Sequence, residues 1–292
     1  MFYSLTYLSD MLESKIFKDV ESPLIIVLGE DIVGNPFIID LNIISHLLVT
    51  GAESSGKSTG IHSMILSLLY RNDPENLKLI LIDKDSNLSK LSIYNDIPHL
   101  LTPVIKETKN AILVLYNLVL EMERRYKLMA KSKGRDIYEC NKKMEKEYGE
   151  RVPSIVVFID ELADLIKTGG QEVEYSIVRL SQMARAVGIH LIIATQRATI
   201  DILNNLIKTN LPSRLSYKVE EEIDSKVILD SIGVESLLER GDALFTSPES
   251  IGLIRVHTPW IIESEIEEIV EFLKSQKTPN YNNSYLSMNL IE

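Results

Sequence analysis

The sequence predicts an α/β protein whose mostly parallel central sheet is covered by helices on both faces. Apolar runs typical of buried strands stand at 155–160 and 190–195, and the segment between them has apolar residues at helical spacing. Strands that alternate with helices pair in parallel, because each helix carries the chain back across a face of the sheet. With 292 residues, the chain is long enough for one large domain of this class.

The same patterns predict the individual elements. Strands are expected at 24–28, 36–40, 46–50, 77–83, 155–160, 190–195, 214–219, 242–245 and 251–256. Helices are expected at 57–70, 107–131, 171–187, 222–231 and 263–274, with a partly exposed helical excursion at 132–152. The pair Gly34-Asn35 predicts a hairpin turn. Three regions follow from this pattern: an N-terminal arm or remnant at 1–22, a main domain at 23–275 and a flexible C-terminal tail at 276–292.

Composition restricts the function classes. The net charge of −11 does not favour a nucleic-acid binder, although a basic lining in a narrow channel can act locally while the exterior stays acidic. We expect neither a membrane segment nor a signal peptide, because no apolar run is long enough and the start lacks a basic leader. The single cysteine, Cys140, excludes an internal disulfide and a cysteine-based metal cluster, which favours a cytoplasmic location. His46, His99 and His190 lack the spacing of metal ligands and are expected to be structural.

One segment between a predicted strand and a predicted helix has the full pattern G-x-x-x-x-G-K-[ST]. Its glycines let the backbone curl so that N–H groups point at phosphate oxygens, and the following helix adds its positive N-terminal dipole. Lys57 would reach the β- and γ-phosphates, and the hydroxyl of Ser58 would bind Mg²⁺. We therefore predict an ATP site. Its binding residues are Gly51, Ala52, Glu53, Ser54, Ser55, Gly56, Lys57, Ser58 and Thr59.

Polar residues at the ends of two later strands complete this hypothesis. Asp160 ends the most apolar strand and is expected beside Mg²⁺, and the adjacent Glu161 is placed to orient or deprotonate water. A hydrophobic run that ends in Asp-Glu is a weak signal alone, but it becomes strong in a chain that also has a P-loop. A parallel sheet opens its site at the carboxyl ends of its strands, so Thr195 or Gln196 could sense the γ-phosphate.

Taken together, these segments resemble the motor domain of the FtsK/SpoIIIE family of double-stranded DNA translocases, from about Leu28 to Lys274. Among the stretches that carry the resemblance are HLLVTGAESSGKSTG, IVVFIDELADL, ARAVGIHLIIATQR and IDSKVILDSIGVESLLERGDALF. The resemblance implies that 23–275 is a RecA-like P-loop NTPase domain. It also implies a hexameric homo-oligomeric ring, ATP hydrolysis between subunits, and double-stranded DNA that passes through the pore without being read for its sequence.

Individual roles follow from the same resemblance. Lys57 and Ser58 match the Walker A residues, and Asp160 and Glu161 match Walker B. Gln196 would report on the γ-phosphate, so the implied catalytic residues are Glu161, Lys57 and Gln196. Two loops would face DNA in the pore, at 167–171 after the Walker B strand and at 197–201 after the next one.

The chain also departs from the family pattern. The residues after the second core strand, Asp83-Lys84-Asp85-Ser86, lack the usual proline, and the first pore loop lacks a pair of lysines. A position where the family has a trans-acting arginine is Lys226, and lysine cannot make the planar bidentate contact of arginine. Turnover is then slower, or another arginine serves, such as Arg185 or Arg214. The membrane region, oligomerising subdomain and winged-helix reader of full-length division translocases are not visible in this sequence.

Two other functions remain open at this point. A related ring ATPase of conjugation or secretion would couple ATP to the movement of a protein or a nucleoprotein complex, and DNA-stimulated ATPase activity would separate it from a DNA translocase. A non-enzymatic ATP-binding adaptor is suggested by the departures at Lys226 and around Lys84. The intact Lys57, Asp160 and Glu161 argue against the adaptor.

Overall fold

The computed structural model describes residues 6–84, 90–196 and 205–287. The chain forms two compact units. Unit 1 comprises Met1–Asn72 and Ala194–Glu268, and unit 2 comprises Asp73–Ile193 and Ile269–Glu292. Among the described residues, no helix combines the length and the apolar character that a membrane crossing requires.

Helices and strands alternate along the described chain, as predicted. The strands are β1 (Ile25–Asp31), β2 (Pro36–Asp40), β3 (Leu47–Thr50), β4 (Leu77–Ile82), β5 (Ser154–Ile159), β6 (Ile189–Thr195), β7 (Arg214–Tyr217), β8 (Asp242–Thr246) and β9 (Ile254–His257). The helices are α1 (Leu8–Glu13), α2 (Lys15–Lys18), α3 (Leu41–Ile44), α4 (Lys57–Arg71), α5 (Thr108–Ser132), α6 (Ile137–Tyr148), α7 (Leu162–Met183), α8 (Asn205–Asn210), α9 (Glu222–Leu229) and α10 (Glu263–Gln276).

The strands of unit 1 follow the order β2-β1-β9-β8-β7-β3. β3 and β7 pair in parallel, with Val49 opposite Leu215. The pairs β1·β2, β1·β9, β7·β8 and β8·β9 are antiparallel. The predicted turn at Gly34-Asn35 closes the β1–β2 hairpin, where the N–H of Gly34 donates to the carbonyl of Asp31. The sheet is therefore mixed, and the strand before the P-loop lies in its parallel part.

Two serines on one face of α4 fasten this helix to β1. β9 pairs with β1 only through Glu30 and Asp31, so the backbone of Val27 needs other partners. The hydroxyl of Ser67 accepts from the N–H of Val27 at 3.1 Å, and the hydroxyl of Ser63 donates to its carbonyl at 3.1 Å. All of these groups are buried. The contact fixes α4, and with it the end of the P-loop, on the sheet.

Unit 2 contains the parallel ladder β6-β5-β4. Every side chain of β5 and β6 is buried, as expected for strands inside a covered parallel sheet. The connections are helical, with α5 and α6 between β4 and β5 and α7 between β5 and β6. Side chains of α5 contact the end of α7, where the hydroxyl of Tyr126 donates to the carbonyl of Met183 at 2.7 Å. The predicted α/β class is confirmed.

Helix α7 departs from the predicted bounds. It was expected at 171–187, but it begins at Leu162 and ends at Met183. The family resemblance implied a loop at 167–171, and the backbone does leave helical geometry at Gly170, with φ 57° and ψ −143°. Leu165 before the break and Val173 after it are both buried, so one apolar face continues across it. Burial of this face holds the two helical pieces together.

Both ends of the chain contain ordered elements that periodicity did not reveal. The N-terminal arm forms α1 and α2, which bury Met11 and Phe17. After α10, the N–H of Asn282 donates to the carbonyl of Leu101 at 2.8 Å. The side-chain amide of Asn117 on α5 donates to the carbonyl of Tyr285 at 3.0 Å, and the Tyr285 side chain is buried. Short helices and single polar contacts give little periodic signal.

We predict that Ser67→Ala lowers the free energy of unfolding of unit 1. The substitution leaves the buried N–H of Val27 without its acceptor, which costs about 1–3 kcal/mol. Thermal denaturation followed by circular dichroism measures the change. Ser181→Ala is the matched control, because the half-buried Ser181 hydroxyl only donates to a carbonyl of its own helix, that of Val178. Equal melting temperatures for the two variants would contradict the role given to Ser67.

Candidate functional site

The predicted phosphate loop lies in unit 1, between β3 and α4. β3 is buried along its length, and α4 begins at Lys57. The residue before it, Gly56, is the N-cap and offers no side-chain hydrogen bond to the helix. The first N–H groups of a helix have no partner within the helix, and the helix dipole adds positive charge at this end. The start of α4 is therefore suited to bind an anion.

Glycine is required at both glycine positions of the motif for reasons of space and backbone geometry. A Cβ atom at Gly51, where φ is 156°, would lie 2.6 Å from Cβ of Tyr217. A Cβ atom at Gly56, where φ is 105°, would lie 2.6 Å from Cα of Gly241. Real Cβ atoms do not approach other atoms so closely, and L-residues rarely adopt these φ values. The loop curls because only hydrogen stands at these two positions.

Backbone groups of two neighbouring segments hold the loop. The N–H of Ala52 donates to the carbonyl of Lys218 at 2.9 Å, just after β7. The N–H of Gly241 donates to the carbonyl of Ser55 at 2.8 Å, just before β8. No sequence motif indicates the contacts of Lys218 and Gly241, because backbone hydrogen bonds leave none. A glycine directly before a strand was the one signal that could have indicated a close approach.

The side chains of the loop differ in exposure. Glu53 is exposed, as expected for an anion that points away from a phosphate site. Lys57 is only 5% exposed, and Ser58 and Thr59 are half-buried. The hydroxyl oxygen of Ser55 is buried and has no hydrogen-bond partner within the described chain. Buried polar atoms normally have partners, so this hydroxyl fits a loop that is completed by a ligand.

The predicted Walker B residues lie together in unit 2, directly after β5. The N–H of Asp160 continues the ladder to β4 by donating to the carbonyl of Ile82 at 3.0 Å. Glu161 is the N-cap of α7, and its carboxylate accepts from the N–H of Ala163 at 3.3 Å. Both residues are half-buried, although Oδ1 of Asp160 is itself buried. A strand end and a helix start thus fix two adjacent acids.

The third predicted strand end has one buried and one exposed polar residue. β6 ends at Thr195, which is fully buried, and Gln196 follows it with an exposed side chain. Of these two residues, Gln196 is therefore the one that can reach a ligand. Residues 197–201, the second predicted pore loop, lie outside the described residues.

The first predicted pore loop, 167–171, is not a loop. It lies inside α7, at the break around Gly170. Lys167 is exposed there. The hydroxyl of Thr168 accepts a hydrogen bond at 2.6 Å from Nζ of Lys84, whose ammonium also donates to the carbonyl of Asp164 at 3.1 Å. Lys84, one of the departures from the family pattern, thus binds the helix that carries this segment.

The candidate trans-acting cations differ in how firmly they are held. Nζ of Lys226 lies 2.6 Å from a carboxylate oxygen of Glu222, one turn earlier on the exposed face of α9. The guanidinium of Arg214 instead donates to the carbonyls of Leu211, Ile228 and Lys208. Arg214 therefore binds backbone carbonyls at the C-terminal ends of α8 and α9. It is a poor candidate for a cation that acts in the site of a neighbouring subunit. Arg185 is exposed in the turn before β6.

A cavity of about 530 Å³ lies in unit 2, but none of the predicted site residues lines it. Its charged wall contains Glu121, which accepts from Arg124 at 2.6 Å and from Arg125 at 2.7 Å. Burial acts to raise the pKa of Glu121, but the hydrogen bonds from the two arginines hold it below its ordinary value. Because Glu121 already engages both of these arginines, this cavity is a structural ion-pair site.

The remaining titratable candidates from the sequence lie inside the protein. His46, His99 and His190 are buried, and so is the thiol of Cys140. Across the described part of the chain, no three His, Cys, Asp or Glu residues are grouped as metal ligands.

Comparison with known proteins reveals close relatives. The chain is 57% identical over 278 residues to the DNA translocase FtsK of Campylobacter jejuni, a match that covers 95% of this chain and 29% of the relative. It is 52% identical over 280 residues to the DNA translocase FtsK of Helicobacter pylori, covering 96% of this chain and 33% of the relative. The chain thus spans about a third of the length of these curated relatives.

Solved structures with the same fold include a conjugation coupling protein and a secretion ATPase. The pCW3 conjugation coupling protein TcpA, with ATPgS, superposes with a TM-score of 0.79 at 25% identity, over 95% of this chain and 75% of that one. The type VII secretion ATPase EccC of Thermomonospora curvata superposes with a TM-score of 0.80 at 19% identity, over 97% of this chain and 36% of that one. The predicted RecA-like fold class is confirmed.

The family assignment rests on the region that contains the motifs described above. The model of the FtsK/SpoIIIE family matches residues 7–199, from the N-terminal arm past the end of β6. This match covers more than half of the chain, including the P-loop, the Asp160-Glu161 pair and Gln196. The chain belongs to the FtsK/SpoIIIE family.

Proposed function

We propose that this chain is an ATP-hydrolysing motor that moves along double-stranded DNA as one subunit of a homohexameric ring. The observation that carries the proposal is the glycine-dependent loop of unit 1, which ends on the uncapped start of α4. The DNA substrate is supported by the 57% and 52% identical relatives, which are named DNA translocases.

The residues of the loop fit the triphosphate of ATP. The N–H groups at the start of α4 would hold phosphate oxygens, and Lys57 would add a fixed positive charge at the β- and γ-phosphates. The buried hydroxyl of Ser55, without a partner in the described chain, offers a further polar contact. Ser58 would hold Mg²⁺ through its hydroxyl. When bound, Mg²⁺ would neutralise charge that develops on the phosphate oxygens.

The two acids after β5 would have separate tasks. Asp160 supplies a carboxylate for Mg²⁺, and oxygen ligands are those that this ion prefers. Glu161 accepts the proton of the attacking water or orients it. As N-cap of α7, Glu161 accepts a backbone hydrogen bond, which positions its carboxylate. Gln196 would respond to the presence of the γ-phosphate with its exposed amide.

Assembly into a ring would supply the last cation from a neighbouring subunit. Lys226 is the residue aligned with the trans-acting position, and its ion pair with Glu222 is exposed. Exposed pairs of this kind contribute little free energy, so Lys226 can exchange its partner at small cost. Lysine cannot reproduce the bidentate contact of arginine. We therefore expect low basal turnover that increases as subunits associate.

Contact with DNA would be local, because the chain as a whole is acidic, with a net charge of −11. Exposed Lys167 beside the break in α7, together with Arg197, would contact phosphates and leave the bases unread.

The chain would act in the cytoplasm. The buried free thiol of Cys140 supports this location, since reducing compartments preserve thiols.

A motor of conjugation is the second candidate. The 25% identical coupling protein TcpA supports it. The much higher identity to DNA translocases favours DNA as the moving substrate of this chain. The measurement that separates the two is the ATPase rate with and without long duplex DNA. Duplex DNA would increase this rate directly only if the motor moves along DNA. An adaptor without turnover would hydrolyse no ATP in either condition.

We predict that Glu161→Gln leaves ATP affinity unchanged and lowers the hydrolysis rate by about 10²–10⁴-fold. The amide can still accept the hydrogen bond from the N–H of Ala163, so the start of α7 is retained, but it cannot take up a proton. Calorimetric titration and a phosphate-release assay measure the two properties.

Asp164→Asn is the matched control, since it neutralises an exposed acid in the first turn of the same helix. It should hydrolyse ATP at the wild-type rate. If Glu161→Gln hydrolyses ATP as fast as this control, Glu161 has no role in the chemical step.

We predict that the double variant Lys167→Glu, Arg197→Glu keeps its basal ATPase rate and loses stimulation by duplex DNA. Reversing two charges repels the phosphate backbone, and the stimulation of the wild type should fall steeply with salt. The control reverses two exposed lysines on α5 and α6, Lys131 and Lys146. Stimulation that survives in the first variant, or disappears in the control, would place the DNA contact elsewhere.

A further inference from the structure

Arg240 has a backbone conformation that its side chain disfavours. Its φ is 66°, in the left-handed region that glycine enters freely and that most other residues avoid. The residue is exposed, so no burial of its side chain compensates for this conformation. Strained backbone of this kind tends to persist where the side chain has a task, and the inference runs from the strain to the task.

The location of Arg240 indicates what the task is. It directly precedes Gly241, whose N–H donates to the carbonyl of Ser55 in the P-loop at 2.8 Å. A Cβ atom at Gly56 would lie 2.6 Å from Cα of Gly241 and 3.1 Å from the carbonyl carbon of Arg240. The backbone of Arg240 therefore lies against the N-cap of α4, within the same compact unit.

Neighbouring acids do not neutralise this arginine. Oε1 of Glu239 lies 3.4 Å from Nζ of Lys218, with which it forms an ion pair. The buried carboxylate of Asp242 binds Arg255, at 2.9 and 2.6 Å, and also accepts from the N–H of Leu238. Within the described residues, the guanidinium of Arg240 has no ion pair and no hydrogen bond. The residue whose backbone lies against this helix start thus carries an uncommitted cation, and the helix start is suited to bind an anion.

We propose that Arg240 is a phosphate-binding residue, whose guanidinium contacts the α- and β-phosphates of the nucleotide held at the start of α4. This inference rests on the proposed function. The N–H groups around Gly56 are those that cradle the α- and β-phosphates in a P-loop, which assigns Arg240 to these phosphates and not to the γ-phosphate. Arginine suits the contact because its planar fork binds phosphate in a bidentate manner.

The test compares Arg240→Gly with Lys133→Gly. Lys133 is a matched control, because it is also exposed and cationic and also has a positive φ, 54°, at the end of α5 in unit 2. Glycine relieves backbone strain at both positions, so both variants should melt at or above the wild-type temperature without nucleotide. A structural role for the Arg240 side chain would instead lower the melting temperature, and that result would overturn the proposal.

Calorimetric titration with ATP and with ADP provides the second readout. Arg240→Gly should lower the affinity for ATP and for ADP equally, by about tenfold or more. Lys133→Gly should change neither affinity. Arg240→Lys should fall between wild type and Arg240→Gly, because the charge remains without the fork. Unchanged affinity in Arg240→Gly, or a loss for ATP alone, overturns the assignment to the α- and β-phosphates.

Lys57→Ala separates this inference from the proposed function. If wild type fails to bind ATP, or Lys57→Ala binds it equally well, the P-loop assignment itself fails. If Lys57→Ala loses affinity and Arg240→Gly does not, the P-loop assignment stands and the role of Arg240 is refuted.

Discussion

The close approach of the Gly241 backbone to Gly56 is the constraint on which the candidate site depends. The contact leaves no room for a side chain at Gly56, and it places a backbone donor on the carbonyl of Ser55. Parallel pairing of β3 with β7 fixes the other end of the loop, where Ala52 bonds to Lys218. The loop is therefore shaped by its own unit, and a phosphate would meet N–H groups that are already oriented. Such preorganisation reduces the ordering that binding would otherwise require.

The position of α4 is set by different forces. Its buried face packs on the sheet, and Ser63 and Ser67 satisfy the backbone of Val27 on β1. Polar contacts inside an apolar interface specify one register of helix on strand, because any shift leaves buried groups unpaired. In unit 2, β5 is buried along its length, and Asp160 and Glu161 follow it directly before the first turn of α7. In both units, the polar residues of the candidate site directly follow the carboxyl end of an apolar strand.

Much of this could be predicted from the sequence, because strong signals are local. The glycine pattern of the P-loop, the apolar run 155–160 and the helical spacing of α4 each lie within one short segment. The errors have physical causes as well. The family resemblance implied a loop at 167–171, but the apolar face of α7 continues through Leu165 and Val173. Gly241, Lys218 and the capping role of Arg214 depend on contacts between distant segments, which no local pattern reveals.

The central claim is that tight packing at Gly56 creates the nucleotide site, and Gly56→Ala tests it most directly. The control is Gly149→Ala, which forces an alanine into a similar left-handed backbone, with φ 68°, but meets no atom within 4 Å. Both variants bear backbone strain, and only the first displaces Gly241. Calorimetric titration with ATP and Mg²⁺ should find wild-type affinity in Gly149→Ala and little binding in Gly56→Ala, with both proteins folded by circular dichroism. Wild-type affinity in Gly56→Ala would contradict the account.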